Sequence, residues 1–240
     1  MRGSADAISP AVALRPAEIV RRFGPHACAR AGLDPCADAP DWLALALLLA
    51  SGADETRATS ALRALPPAQD GDPNAEAAAV AAALARERIP HPERLAATLV
   101  RARRAFADRW GGSLERLASD ADDLETLGAR IAALAPGVGR ASVLRFLRPL
   151  RERFAAAREV PLAPAARAAA LHVGLLSEGE DEEGEPAALR HRLARNPEAP
   201  AFADLEAALE RLGAAACLRG RVSRCPLGAE CPVSGPKAFD

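Results

Sequence analysis

Stretches of apolar and polar residues with helical spacing fill most of the chain, and prolines and glycines separate them. Leu43 to Ala50 is an unbroken apolar run that suits a buried helix, with Asp41 as its expected N-cap. Pro149 is expected to bend a helix that begins at Arg140. The pattern predicts helices at about 16–31, 42–50, 54–65, 75–88, 92–109, 122–133, 140–158, 164–174, 187–195 and 201–212.

The amino-acid composition also favours helices. Half of the 240 residues are hydrophobic, only 3% are aromatic, and no tyrosine is present. Alanine, leucine, arginine and glutamate dominate, and all four are good helix formers. We therefore predict an all-α protein, long enough for one large domain or two small ones. Trp42 and Trp110 are expected in the core.

The distribution of charge is more informative than its sum. The formal net charge is −1, which gives no overall basic signature of a nucleic-acid-binding protein. Between residues 137 and 158, however, Glu152 is the one acid among several arginines. These arginines are Arg140, Arg145, Arg148, Arg151, Arg153 and Arg158. Compensating acids lie elsewhere, notably between Glu178 and Glu185, in a loop that we expect to be solvated.

Lysine is almost absent from the chain. Lys237 is the one lysine among 31 lysines and arginines. Arginine does not lose its proton at usable pH. A mechanism that needs a deprotonated amine therefore has no internal candidate.

The most informative segment is Leu134-Ala135-Pro136-Gly137-Val138-Gly139-Arg140, which joins two predicted helices. Gly137 and Gly139 permit positive φ and leave the backbone open to close approach by a ligand. The first N–H groups of the next helix have no intrahelical partners, so a phosphate oxygen there gains hydrogen bonds and a favourable helix dipole. An ordinary tight turn between packed helices is the alternative. The predicted DNA contacts are Pro136, Gly137, Val138, Gly139, Arg140 and Arg145.

This segment resembles the helix-hairpin-helix of the endonuclease III class of base-excision-repair DNA glycosylases, the HhH-GPD superfamily. Residues 40–54 are similar to the opening apolar helix of that family and the short turn that ends it. Residues 171–175, Leu-His-Val-Gly-Leu, are similar to its Arg-Leu-Gly segment. The similarity covers about residues 40–232 in consistent order.

The resemblance implies a fold of two helical lobes with double-stranded DNA across the cleft between them. One lobe would be residues 34–155, and its helix-hairpin-helix would occupy about 122–158. The second lobe would join residues 1–33 to residues 156–240, and it would contain the C-terminal cysteines.

The chain departs from the family where the family carries its chemistry. Members that cleave abasic sites use a lysine nucleophile just after the hairpin, and the matching residue is Ala141. Active members also use an aspartate, which matches Ala163 by the downstream anchor or Glu159 by an ungapped count. Gly52 stands where the family often wedges a glutamine into the base stack. Glu159 is therefore the one catalytic candidate, with a solvated helix-end acid as the alternative.

Three of the five cysteines lie near the C-terminus with the spacing Cys217-x7-Cys225-x5-Cys231. The family often holds an iron–sulfur cluster here with the spacing C-x6-C-x2-C-x5-C, so the last pair matches and one cysteine is missing. A [4Fe–4S] cluster normally takes four thiolates. The resemblance makes Cys217, Cys225 and Cys231 candidate cluster ligands, with Cys28, Cys36 or a ligand from outside the chain as a candidate fourth. Three ordinary thiols at a degenerated site are the alternative.

Location and assembly follow from what the sequence lacks. No apolar run reaches membrane-spanning length, and the N-terminus shows no signal-peptide pattern. We expect a monomer in the cytoplasm, associated with the nucleoid and not with a membrane.

His26, His91, His172 and His191 are scattered, and we interpret them as surface or hydrogen-bonded residues.

Three functions are open from the sequence alone. The first is a DNA-binding protein on the glycosylase scaffold whose lyase chemistry has been lost. The second is a monofunctional DNA glycosylase that uses Glu159. The third is a structural or interaction protein that keeps the fold without binding DNA, which the near-neutral net charge favours.

Overall fold

The computed structural model describes residues 15–68, 71–177, 184–220, 222–228 and 231. Within these ranges every regular element is a helix and no strand occurs, so the predicted all-α class is confirmed. No helix in the described ranges is long and apolar enough to cross a membrane.

In chain order, the helices are α1 (Pro16–Phe23), α2 (Ala27–Ala31), α3 (Ala39–Ala50), α4 (Glu55–Ala64), α5 (Pro73–Arg86), α6 (Pro92–Trp110), α7 (Leu114–Ala118), α8 (Leu124–Ala132), α9 (Arg140–Leu147), α10 (Pro164–His172), α11 (Glu185–Ala194) and α12 (Phe202–Ala215). Short 3-10 turns occupy Arg148–Leu150, Ala155–Glu159, Cys217–Arg219 and Val222–Arg224. The chain divides into two compact units. The central unit is Ala27–Val160, and the terminal unit combines Met1–His26 with Pro161–Asp240.

Helix α3 forms the centre of the core of the central unit. Its residues from Trp42 to Leu48 are all buried, because this apolar run has no polar face to present to water. The Trp42 Nε1–H donates to the Phe146 carbonyl oxygen at 2.8 Å, and the two rings stack with centroids 6.4 Å apart. Trp42 is therefore a core residue, as predicted, and it ties α3 to α9.

The start of α3 differs from the prediction. The helix begins at Ala39 and not at Trp42, because Pro40 lies in the first turn, where a missing N–H costs no hydrogen bond. Asp41 is consequently inside the helix and does not cap it. Its Oδ1 accepts instead from Arg103 Nη2 of α6 at 2.6 Å.

Two predicted helices are shorter in the structure. The helix expected over 16–31 breaks at Gly24, whose φ is 81°, and the chain resumes as α2. The helix expected over 140–158 ends at Leu147, because Pro149 cannot donate the next hydrogen bond and clashes with the preceding turn.

The terminal unit is built on the crossing of α10 with α12. A Cβ added to Gly213 would lie 1.8 Å from the Ala165 carbonyl oxygen, so the two backbones touch at this point. Helix α1 packs on α12 through Ile19, which is fully buried. Arg211 Nη1 completes this contact by donating to the Phe23 and Gly24 carbonyl oxygens, each at 2.9 Å.

The acidic loop is only partly within the described residues. Residues 178–183 lie outside them. Glu185 is 1% exposed, and its carboxylate accepts from Arg167 Nε at 2.7 Å. The prediction of a solvated loop is therefore wrong for Glu185, whose buried carboxylate pairs with the half-exposed Arg167 between α10 and α11.

Candidate nucleic-acid interface

The hairpin, residues 135–139, is a tight turn between α8 and α9. The Val138 N–H donates to the Ala135 carbonyl oxygen at 3.1 Å. The side chains of Leu134, Ala135 and Val138 are buried, whereas Pro136, Gly137, Gly139 and Arg140 are exposed. The Val138 side chain therefore anchors the turn in the core, and a ligand can reach the turn mainly through its exposed backbone at Gly137 and Gly139.

Thr98 of α6 fixes the position of the hairpin. Its hydroxyl lies 3.1 Å from the Pro136 carbonyl oxygen and 3.1 Å from the Arg94 carbonyl oxygen, so one proton serves two acceptors. Gly137 has a φ of 99°, and a Cβ there would lie 2.6 Å from Thr98 Oγ1. The turn consequently requires glycine for both its conformation and its packing.

The first turn of α9 is open to a ligand. Gly139 is the N-cap residue in an extended conformation, and no side chain caps the helix. A Cβ added to Gly139 would meet no heavy atom within 4 Å. Arg140 and Ala141 are exposed, and Arg145, one turn beyond Ala141, is half-buried. The uncapped N–H groups and the helix dipole suit an oxygen anion.

A cavity of about 290 Å³ lies on one side of the hairpin. Gly137 and Ser142 contribute its hairpin wall, and Ser51, His91 and Arg94 line it from the end of α3 and the start of α6. None of the described residues that line this cavity is a carboxylate.

A groove of about 850 Å³ lies along α8, α9 and the 3-10 turn Ala155–Glu159. Arg140 lines it together with three acids, Asp123, Glu125 and Glu159. The structure therefore brings Glu159, which is exposed, and Arg140 to one groove. This acidic groove is less favourable for a phosphate than the cavity.

The arginines that follow the hairpin are not one basic surface. Arg151 is 1% exposed, and its Nη2 donates to the Val160 carbonyl oxygen at 2.6 Å. Arg153 pairs with Glu115, with Nη2 and Oε1 3.4 Å apart. Arg148 is half-buried. Some of the arginines between residues 137 and 158 thus form hydrogen bonds or ion pairs within the central unit, and their charge is not all available to a ligand.

Two of the three positions at which the sequence departs from the family it resembles lie in the central unit. Ala141 is exposed at the start of α9. Gly52 is exposed with a φ of 91°, and its neighbour Ser51 lines the cavity beside the hairpin. Both positions are therefore at the surface, on segments that adjoin the cavity or the hairpin.

Ala163, the third departure, is the N-cap residue of α10 and is 3% exposed. Its N–H donates to Oε1 of Glu206 at 3.4 Å, and Glu206 is 2% exposed on α12. A carboxylate from another helix thus accepts from the backbone N–H of the N-cap residue, as the N3 side chain of a capping box does. Sequence reasoning missed Glu206, because its position in α12 looks like that of any amphipathic helix residue.

The three C-terminal cysteines lie near one another in the terminal unit. The Cys225 and Cys231 thiols are hydrogen-bonded, and Cys231 is buried. Burial, and then the nearness of Cys225 and Cys231, raises the pKa of the Cys217 thiol to about 11.

The remaining two cysteines, Cys28 and Cys36, belong to the central unit. Cys28 is 3% exposed in the core of the central unit, and Cys36 packs against that same core. Among the described residues, no group of three or more His, Cys, Asp or Glu side chains is arranged to hold a metal ion. The predicted cluster stays a prediction.

Comparison with known proteins found no match to this chain among protein-family models, curated proteins or solved structures. The functional conclusion therefore rests on the geometry of the hairpin and its surroundings.

Proposed function

We propose that this chain binds the backbone of duplex DNA through residues 136–140, on a helix-hairpin-helix scaffold of the HhH-GPD glycosylase type. The observation that carries the proposal is the exposed, side-chain-free turn at Gly137 and Gly139, which leads into an uncapped helix N-terminus. Backbone contacts of this kind hold a duplex in register without reading its sequence.

The surroundings of the hairpin favour approach from the cavity side. Arg94 and His91 line the cavity without a carboxylate among its described residues, whereas Arg140 shares the groove with three acids. A polyanion is attracted to the first surface and repelled by most of the second. DNA held by the hairpin therefore lies over the cavity, and Arg140 contacts its backbone from the start of α9.

Binding without lyase chemistry is the activity that we propose. The residue that follows the hairpin arginine is Ala141, and the one lysine of the chain is Lys237. An abasic-site lyase needs a neutral amine, which arginine does not supply. Trapping of a protein–DNA adduct with borohydride would contradict this part of the proposal.

Salt-dependent binding to a fluorescent duplex tests the proposal. The logarithm of the affinity should fall linearly with the logarithm of salt concentration, with a slope of about −0.9 per phosphate contacted. Arg140→Gln should weaken binding to all sequences and reduce the slope by about one. Arg57→Gln is the matched control, because Arg57 is an exposed arginine that pairs with Asp54 on α4. Absence of duplex binding at low salt overturns the proposal.

A monofunctional DNA glycosylase is the second candidate. The observation that favours it is the exposed Glu159 carboxylate in the same groove as Arg140. Wild-type protein would then release a base from a duplex in a lesion panel, and Glu159→Gln would slow release by about a hundredfold or more. Glu125→Gln, in the same groove, is the control. Equal release by wild type and Glu159→Gln excludes Glu159, and no release from any lesion excludes the activity.

The iron–sulfur cluster is tested separately, by the visible spectrum of anaerobically purified protein. A [4Fe–4S] cluster held by Cys217, Cys225 and Cys231 gives a broad absorption that Cys231→Ser abolishes. Colourless protein without iron or sulfide supports the alternative of three ordinary thiols.

A further inference from the structure

His91 is held in an unusual conformation at the edge of the cavity beside the hairpin. Its φ is 51°, in the left-handed region, which residues other than glycine adopt uncommonly and histidine more often than most. Pro90 precedes it and Pro92 follows it, so the backbone on either side is restricted. Strained residues of this kind are held in place by their surroundings and concentrate at ligand sites.

Arg94 lies one turn further along α6 and lines the same cavity. The side chains of His91 and Arg94 are exposed, and neither forms an ion pair with a residue in the described part of the chain. Two nitrogen-bearing side chains thus border a cavity that carries no described carboxylate.

Ser142 adds an independent observation on the opposite wall. It is 6% exposed, lines the cavity, and its hydroxyl has no hydrogen-bond partner among the described residues. The hydroxyl stands at the cavity wall, where a ligand or water can form the hydrogen bond that the protein does not supply. The cavity volume of about 290 Å³ exceeds the roughly 30 Å³ that one water occupies in the liquid, which leaves room for a larger polar group.

We infer that this cavity binds a phosphate group, with Arg94 and His91 as charged or polar donors and the Ser142 hydroxyl as a third. A phosphate oxygen accepts from all three, whereas a cation meets no charged oxygen there. The inference rests on the proposed function for its source of phosphate, because the same Gly137 that lines the cavity belongs to the DNA-binding hairpin. The phosphate group can belong to a continuous strand, to a strand end, or to free inorganic phosphate.

Three substitutions test the site without disturbing the fold. Arg94→Gln removes the guanidinium, and Ser142→Ala removes a hydroxyl that has no described partner. His91→Asn removes the imidazole and keeps a residue that tolerates positive φ. Arg101→Gln is the matched control, since Arg101 is exposed on the same helix but does not line the cavity.

Each protein is titrated with three DNA probes and with inorganic phosphate. The probes are an unbroken duplex, a duplex with a nick that carries a 5′-phosphate, and the same nick with a 5′-hydroxyl. We expect Arg94→Gln to lower the affinity for phosphate-bearing probes about tenfold, as loss of one charge-assisted hydrogen bond does. His91→Asn and Ser142→Ala should lower it less, and Arg101→Gln should bind like the wild type.

The outcomes separate the cavity from the hairpin. Selective loss on the 5′-phosphate nick assigns a strand end to the cavity, and equal loss on all duplexes assigns an internal phosphate. If all three variants bind every probe as Arg101→Gln does, the cavity site is overturned and DNA binding by the hairpin stands. If the wild type binds inorganic phosphate but no DNA, and Arg94→Gln loses this binding, the cavity site stands and the proposed function fails. No binding of any probe overturns both.

Discussion

The Thr98 hydroxyl donates toward the Pro136 carbonyl oxygen and stands where a side chain of residue 137 would begin. The O–O distance is 3.1 Å, and a Cβ on Gly137 would approach Thr98 Oγ1 to 2.6 Å. One residue of α6 thus holds the hairpin backbone and excludes any side chain from its tip. Thr98 therefore holds the backbone around Gly137 in one position and leaves it exposed without a side chain.

Gly137→Ala should destabilise the central unit by about 2 kcal/mol or more, from the cost of positive φ and the overlap with Thr98. Urea unfolding followed by tryptophan fluorescence measures this, because Trp42 and Trp110 both lie in the central unit. The double variant Thr98→Ala/Gly137→Ala should recover only the part of the lost unfolding free energy that is due to overlap with Thr98. A single Gly137→Ala variant as stable as the wild type would contradict the geometry of the hairpin.

Gly213→Ala should destabilise the terminal unit by about 3 kcal/mol or more, because the added methyl overlaps backbone and α10 and α12 must separate. The Ala165 carbonyl oxygen would lie 1.8 Å from the new Cβ. Far-UV circular dichroism is the suitable probe, since neither tryptophan lies in this unit. Gly71→Ala, where an added Cβ meets nothing within 4 Å, serves as the control. If Gly213→Ala unfolds at the same denaturant concentration as the wild type, α10 and α12 do not pack as closely as the structure has them.

Trp42→Phe should cost the central unit about 2 kcal/mol, from a lost hydrogen bond to Phe146 and lost buried volume. Chemical denaturation followed by circular dichroism measures the loss. Trp110→Phe is the comparison, because Trp110 is half-buried and its ring lies 5.6 Å from the Arg130 guanidinium carbon. If the two variants lose equal stability, the contact between Trp42 and Phe146 is not what joins α3 to α9.

Asp123→Ala should destabilise α8 at neutral pH and have no effect in strong acid. The Asp123 carboxylate accepts from the Thr126 N–H at 2.6 Å, and this hydrogen bond holds the pKa of Asp123 below its ordinary range. A lowered pKa means that the cap stabilises the fold above the pKa of the unfolded chain, near pH 4. That stabilisation is lost as the pH falls through the lower folded pKa.

Thermal unfolding of wild type and Asp123→Ala between pH 7 and pH 2 measures this difference. Asp122→Ala is the control, because Asp122 is exposed and does not cap α8. A difference between wild type and Asp123→Ala that persists unchanged at the lowest pH would contradict the capping role.

The helical class could be predicted because it depends on local properties. The apolar run of α3, the proline and glycine breaks and the hairpin segment can each be recognised from a few consecutive residues. At the start of α3 the boundary was missed for a local reason, and the partner of Asp41 could not be predicted because it is distant in sequence. Asp41 is inside α3 because its first turn accommodates Pro40, and its carboxylate pairs with Arg103, which is distant in sequence.

The surroundings of the candidate site could not be predicted for the same reason. Thr98 is 38 positions from Pro136, so no spacing rule connects their hydrogen bond. The sequence alone places Arg151 among the arginines of a basic segment, whereas its burial depends on the turn that returns the chain to Val160. His91 is one of four scattered histidines in the sequence, and its place beside the hairpin depends on the fold that brings the start of α6 to the cavity.

Gly139→Ala is the most direct test of DNA binding by the hairpin. An alanine at this position keeps an ordinary φ of −92° and meets no heavy atom within 4 Å, so the variant should unfold like the wild type. The methyl group nevertheless stands where a phosphate must approach the backbone, and we expect duplex affinity to fall about tenfold. Gly71→Ala should bind as the wild type does. Full duplex affinity in a folded Gly139→Ala protein would contradict the central claim.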